Sequence, residues 1–594
     1  MKPTRLAALA VLLASAVLPA AARPAKPHNV IVFVADGLRY VSVTPQVAPT
    51  LWKLKHDGVD FTDSHAMYPT ITTVNASAIA TGHYIGDTGD FGNTIYSGFP
   101  SGETGNSPIA IFENDVMLGE MNAHFGGNYL NETSLIAGAR EAGFATAIMG
   151  KVGPTAIQDV TQRDGSGTIV IDDALDTPKG IALSPEIAAA IKAAGLADKA
   201  PKTNVPNTDQ QQYMIAVATK VVLPKLAGSG KPFAMLYWSR DPDATQHSQK
   251  DSIGKLTPGI NGPTGQAGIK DADDTLAALL AALKAQGLDK TTDVFVTADH
   301  GFSTIDRMGS QTSPSAKIAF SGTPAGETPS GFLAMDLAAA LGLPLNDPYT
   351  HKPVDYKTGQ TLAFGSGFIG ADPEHPDVMV IQNGGSDLIY TPGADAKAMA
   401  AKVVDALTKM DTVSGIFTND PLGDIPGALP MSAIGWVGTA LTPHPDIVVS
   451  FASHPIPGCE PELMCAAEMA DTSLETGQGM HGTFSRADTR NFQAAIGPDF
   501  KKRFADPSPI SNADINPTLA HILGLKIVAK GDLTGRVIGE ALKGGKRVAA
   551  AHKTLRSQPA ANGMTTVLDY QEADGRRYFD AAGFPGHTVG LTGR

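Results

Sequence analysis

Along this chain the apolar residues fall into short unbroken runs, separated by stretches in which they recur at helical spacing. Asn29–Ala35 (NVIVFVA), Phe144–Met149 (FATAIM), Phe233–Trp238 (FAMLYW) and Asp293–Ala298 (DVFVTA) are such runs, rich in β-branched and aromatic residues. Consecutive apolar positions predict strands buried on both faces, as in a parallel sheet. Between them, Pro49–Lys55 places Leu51 and Leu54 at helical spacing and stops before Gly58, while Ser134–Ala142, Tyr213–Leu226 and Asp273–Ala285 repeat a helical pattern. Strands alternating with helices predict an α/β fold, a mostly parallel central sheet flanked by helices. Val378–Gln382, Leu388–Tyr390 and Asp446–Ser450 read as further strands, and Ala396–Lys409 and Ile515–Leu525 as helices. No period of about 20 to 50 residues recurs, which argues against solenoids and propellers.

Where the periodic elements thin out, punctuation takes over. Residues 155–209 are broken by Gly, Pro and Asp, which predicts an insertion covering the sheet's active edge, and a second insertion is expected near 341–375. The Gly- and Pro-rich stretch 254–268 predicts a loop lying over a site. A catalytic domain is expected over residues 28–530, with 531–594 as a peripheral C-terminal segment. At the start, Lys2 and Arg5 precede an apolar run, Pro19 and three alanines before Arg23, so residues 1–22 have the layout of a cleaved signal peptide. That predicts a secreted or periplasmic protein, and no later run is apolar enough to span a bilayer. The two cysteines, Cys459 and Cys465, are then expected to form one local disulfide. A formal net charge of -13 over 594 residues, with no basic run, argues against a nucleic-acid polymer as partner.

The chemistry-bearing residues gather at the predicted strand ends. The strands end in Asp36-Gly37, in Gly150-Lys151, in a segment with Asp243 and His247, and in Asp299-His300-Gly301. Open α/β sheets bind ligands outside the carboxyl ends of their strands. Taken singly, an Asp-Gly step is an ordinary turn. Together with His481 in GQGMHG, they amount to about six ligands of the kind that hold two divalent ions some 3.5–4 Å apart for displacement at phosphorus. Asp36, Asp299 and His300 serve one ion, and Asp243, His247 and His481 the other, with Asp241 competing for the place of Asp243. A hydroxyl stands ready in YPTITTVNASAIATG: Thr72 precedes a run of small residues, Val74–Thr81, that Gly82 closes. It either caps that helix or, placed on the first ion, becomes a nucleophile.

Asp36, YPTIT with Thr72, PDATQH with Asp243 and His247, TADHG with Asp299 and His300, and GMHG with His481 occur in that order over about residues 29–525. This arrangement resembles the alkaline phosphatase superfamily, and within it the type I phosphodiesterases and nucleotide pyrophosphatases. The resemblance implies an alkaline-phosphatase-like α/β fold and two divalent metal ions, usually zinc. It also implies hydrolysis of a small phosphate-ester substrate through a covalent phosphothreonine at Thr72. Asn93 falls where that family places an amide on a phosphate oxygen, and the four-residue step to His247 favours Asp243 over Asp241. Lys151 is similar to the strand-end lysine that related monoesterases direct at the substrate anion, but the arginine some of them carry two residues later is Gly153 here. An alkaline phosphomonoesterase using Lys151 therefore remains the alternative. A phosphonate hydrolase, a sulfatase, or a metal-stabilised binding protein stands further off, since Thr72 is neither the Cys nor the Ser that a sulfatase converts. The family's aromatic nucleotide pocket has no counterpart legible in the sequence.

Overall fold

The computed structural model describes residues 28–175 and 177–593. The expected signal peptide, residues 1–22, lies outside the described residues. Eight strands build the central sheet: β1 (Asn29–Ala35), β2 (Val59–Phe61), β3 (Ala145–Gly150), β4 (Ile169–Asp172), β5 (Phe233–Ser239), β6 (Thr292–Thr297), β7 (Gln493–Ile496) and β8 (Phe504–Asp506). Their order is β8-β2-β7-β6-β1-β5-β3-β4. Pairing is parallel except at β7, which runs against both β6 and β2.

The unbroken apolar run of β1 has a direct structural reason. Alternate side chains point to opposite faces, and both faces are covered: Val30, Val32 and Val34 join one hydrophobic core, whereas Ile31, Phe33 and Ala35 join the other. Helix α1 (Thr72–Thr81) packs into the first core, with all ten residues buried. Its small residues are what a helix surrounded on every side requires, and Gly82 closes it in a left-handed conformation, with its N–H bonded to Ala78 O.

Three regions depart from a plain reading of the pattern. The helix expected from Asp273 begins at Pro263 and runs to Ala285, so residues 263–268 of the expected 254–268 loop are helical. Gly265 and Gly268 look like breakers but mark close packing: a Cβ at Gly265 would stand 2.1 Å from Ile260 O, and one at Gly268 2.8 Å from Thr245 Cβ. The helix expected over Tyr213–Leu226 spans Thr208–Gly228 with a π-helical turn at Ala218–Val222, which absorbs the N–H missing at Pro224. The strands at Val378–Gln382, Ser386–Tyr390 and Ile447–Phe451 belong to a second eight-stranded sheet that is largely antiparallel.

The C-terminal residues form a three-stranded antiparallel sheet, Ala550–Arg556, Val567–Ala573 and Arg576–Gly583. Leu568, Tyr570, Phe579 and Ala582 from it join the same core as α1. Cys459 and Cys465 are disulfide-bonded.

Candidate active site

Strands β3, β5, β1 and β6 are neighbours and parallel, so their carboxyl ends form one rim. Asp36 follows β1 directly, Lys151 follows β3, Asp243 opens helix α2 (Asp243–Ser248) beyond β5, and Asp299 and His300 lie just past β6. Helix α1 begins at Thr72 on the same rim, and His481 arrives from the loop after Gly479–Met480. Asp36, Thr72, Lys151, Asp243, Asp299, His300 and His481 are all buried.

Two groups of ligand-type atoms result. Asp36, Asp299 and His300 present atoms within 4.8 Å of one another. His300 Nε2 is 3.2 Å from Asp299 Oδ2, 3.7 Å from Asp36 Oδ1 and 3.3 Å from Thr72 Oγ1. Asp243, His481 and His300 form the second group, and His247 joins it through a 3.0 Å contact of its Nε2 with Asp243 Oδ1. The His300 and His481 rings stack at 3.5 Å between centroids, a wall common to both groups.

Two observations test whether these residues suit metal ions. First, each imidazole has its Nδ1 against a backbone carbonyl at 2.8 Å: His247 with Gly479, His300 with Gly301, His481 with Thr70. Such a bond fixes the tautomer and turns the Nε2 lone pair toward the site. Second, Asp36 Oδ1, Asp243 Oδ1 and Asp299 Oδ2 are buried oxygens that no backbone N–H or hydroxyl satisfies, and the latter two are faced at 3.0 and 3.2 Å by the Nε2 atoms of His247 and His300. Buried carboxylate oxygens are ordinarily bonded or paired with cations. In the buried His83–Asp87–Glu132 group, by contrast, backbone N–H groups of Thr439, Leu533, Lys530 and Gly531 already satisfy the carboxylates. The carboxylates and imidazoles of the rim are of a kind and arrangement that could hold divalent metal.

Electrostatics point the same way. Burial, then Asp243 and Asp299, hold the Asp36 carboxyl well above the usual carboxylate range. Burial acts to lower the His300 imidazolium, but Asp299, Asp36 and Asp243 raise it to about 9. This concentration of negative charge calls for cations, and one is already present. Lys151 Nζ lies 3.0 Å from Asp36 Oδ2, 3.1 Å from Asp243 Oδ2, 2.9 Å from Glu113 Oε1 and 3.5 Å from Thr72 Oγ1. Burial works against its charge, but Asp243, Asp36 and Glu113 hold it well above its ordinary value.

Asn93 reaches the start of α1 from the loop before the hairpin Thr94–Tyr96 and Ile109–Ile111. Its Oδ1 accepts the Thr73 N–H at 3.0 Å, so its NH2 end is the one left for another acceptor. Asp241 belongs to neither group: its Oδ1 accepts from Thr245 N–H and Oγ–H at 3.2 and 2.9 Å, and burial pushes its carboxyl up to about 8. Every residue expected at the site is therefore on this rim. Three neighbours were not visible in sequence. Trp238 Nε1–H donates to Asp36 Oδ2 at 2.7 Å. Phe302 packs against the His247 and His481 rings at 4.9 and 5.2 Å. Glu113 pairs with Lys151. Trp238 ends a strand that the pattern does identify, but its indole N–H carries no local signal of a partner 202 residues away.

A family model described as type I phosphodiesterase / nucleotide pyrophosphatase matches residues 30–432. Among solved structures, human ectonucleotide pyrophosphatase / phosphodiesterase 5 is similar over 84% of this chain and 96% of its own, at 16% identity and a TM-score of 0.47. No curated protein matches in sequence.

Proposed function

The chain belongs to the type I phosphodiesterase/nucleotide pyrophosphatase family, metal-dependent hydrolases of phosphoric esters, and we propose that it cleaves phosphodiesters or pyrophosphates through a covalent phosphothreonine at Thr72. One observation carries this reading: the Thr72 hydroxyl sits at a helix start, 3.3 Å from His300 Nε2, beside three buried carboxylate oxygens that no backbone N–H or hydroxyl satisfies. A merely capping threonine needs none of that surrounding.

Asp36, Thr72, Asp299 and His300 would hold one ion, and Asp243, His247 and His481 the other, with zinc the ion that this mix of carboxylate and imidazole suits. Bound there, such ions act as Lewis acids that lower the pKa of a hydroxyl or a water. The chain's own residues do the rest. Thr72, having lost its proton to solvent, attacks phosphorus from Oγ1; the bond to the leaving oxygen breaks as the Oγ1–P bond forms, and that oxygen departs with the electron pair and takes a proton from water. In the second half, water breaks that bond and the threonine hydroxyl regains a proton. The Asn93 NH2 donates to a non-bridging oxygen where charge develops, and the amides opening α1 favour the same anion.

Secretion or a periplasmic location is supported by the layout of residues 1–22 and by the Cys459–Cys465 disulfide. Among the described residues no helix is long and apolar enough to cross a membrane. The proposed substrate is a small phosphate ester. A second reading, alkaline phosphomonoesterase, is favoured by one feature, the buried Lys151 ammonium 3.5 Å from the Thr72 hydroxyl.

The test compares hydrolysis of bis(p-nitrophenyl) phosphate with that of p-nitrophenyl phosphate. Diester turnover is expected to vanish with a chelator and return with zinc. Turnover that survives complete removal of metal would sink the reading.

A further inference from the structure

We propose that Glu113 selects the charge of the substrate: by neutralising Lys151 it favours monoanionic phosphodiesters over dianionic monoesters. This rests on the phosphoesterase reading above and names the substrate class for the same site.

Three carboxylates surround Lys151 Nζ, but they are not equivalent. Asp36 and Asp243 belong to the two ligand groups, and ions held there would answer their charge. Glu113 belongs to neither group, which leaves it as the lysine's own counter-ion, at 2.9 Å. Its side chain is 33% exposed whereas that of Lys151 is 3% exposed, so Glu113 stands between the buried ammonium and solvent. An anion arriving at Thr72 meets a cation whose charge is already shared.

The next cation does not change the balance. Arg240 is forked onto Asp173, with Nη2 3.0 Å from Oδ1, and Asp173 Oδ1 also accepts the Val152 N–H at 3.0 Å. Lys151 and Arg240 are thus matched by Glu113 and Asp173. Nor is there room for a cationic side chain at position 153, two residues after Lys151. Gly153 has φ +90°, and a Cβ there would stand 2.6 Å from Phe112 O and 2.8 Å from Glu113 Cα. The backbone that carries Glu113 fills the space a side chain at 153 would need. A monoester dianion brings one more negative charge than a diester into these surroundings, so the carboxylate weighs more heavily against it.

Glu113 is a positioning and specificity residue, since its contact is with Lys151 and not with Thr72. The zinc-loaded full-length protein and its Glu113→Gln variant provide the test, with kcat and KM measured for both nitrophenyl esters. The monoester-to-diester ratio of kcat/KM is expected to rise about tenfold in Glu113→Gln, chiefly through KM, with the wild-type ratio restored in Glu113→Asp. Titration calorimetry at pH 8 adds a readout without turnover: inorganic phosphate, a dianion there, is expected to bind about tenfold more tightly to the Gln variant, and dimethyl phosphate within twofold of wild type. Phosphate and dimethyl phosphate shifting together, or neither shifting, overturns the proposal. A wild-type protein that hydrolyses neither ester would sink the functional reading, while the two titrations would still decide the role of Glu113.

Discussion

Asn93→Asp is expected to leave the start of α1 intact while slowing turnover by at least about 10²- to 10³-fold, the cost of losing one donor at a developing oxyanion. The amide does two things at once. Its Oδ1 caps the Thr73 N–H at 3.0 Å, and its NH2 is left for another acceptor, which the proposed mechanism makes a phosphate oxygen. Aspartate keeps an acceptor for Thr73, in a position where negative charge is favoured by the helix end, but replaces the donor by a second anion. Asn93→Ala removes both functions, and the lost cap costs about 1 kcal/mol. A thermal midpoint reports this poorly. At about 2.1 cal/mol/K per residue, 594 residues give an unfolding entropy near 1.2 kcal/mol/K, so about 1 kcal/mol moves the midpoint by roughly 1 °C. Amide hydrogen exchange in the peptide holding Thr73 is the sensitive assay, because about 1 kcal/mol of local opening speeds exchange about fivefold. Wild type and Asn93→Asp should exchange alike and Asn93→Ala faster, with diester turnover low in both variants. Asn93→Asp turning over within threefold of wild type would remove the donor from the mechanism, and unchanged Thr73 exchange in Asn93→Ala would remove the cap.

Two more outcomes follow, one at the same helix start and one at the C-terminal sheet. Thr72→Ala should lose turnover by at least about 10³-fold and still bind zinc, since the carboxylates and imidazoles remain; metal content by atomic absorption beside steady-state rates checks it, and retained turnover would exclude Thr72 as nucleophile. Burial raises the Asp580 carboxyl, but His65 and Arg486, with Gln571, lower it more, from 3.8 to about 2. A depressed folded pKa stabilises above the unfolded value, so this contribution is complete above about pH 4 and is lost as pH falls toward about 2. The shift corresponds to about 2 kcal/mol. Urea unfolding should find Asp580→Asn less stable by about that amount at pH 6, with the gap closing below pH 4, and a gap independent of pH would contradict the linkage.

How far the site was legible in sequence depended on how each residue reaches it. Asp36, Lys151, Asp243 and Asp299 were legible because each follows a buried strand within a few residues, and a parallel sheet brings such ends to one edge. Thr72 was legible as a hydroxyl at a helix start, with two possible roles. His481 was legible as a ligand-type residue in a Gly-rich turn that completed a set of about six, and its place in the motif order supported that reading. Residues 263–268, the start of the helix that runs on to Ala285, read as loop because Gly265 and Gly268 are breakers by local preference, and only the backbone of Ile260 and the side chain of Thr245 pressed against them explain their use. Glu113 had no local mark at all, since its meaning comes from a lysine 38 positions later.

The sequence by itself determined the α/β alternation, the strand-end residues and their chemical types, because burial on both faces of a strand and the preferences of turn residues act over a handful of neighbouring positions. Only the tertiary structure decided which carboxylate oxygens lack a backbone or hydroxyl donor, which end of Asn93 faces outward, and that Lys151 shares its charge with Glu113. Those are matters of desolvation and direction between groups up to several hundred residues apart, and they exist only once the chain has closed around them.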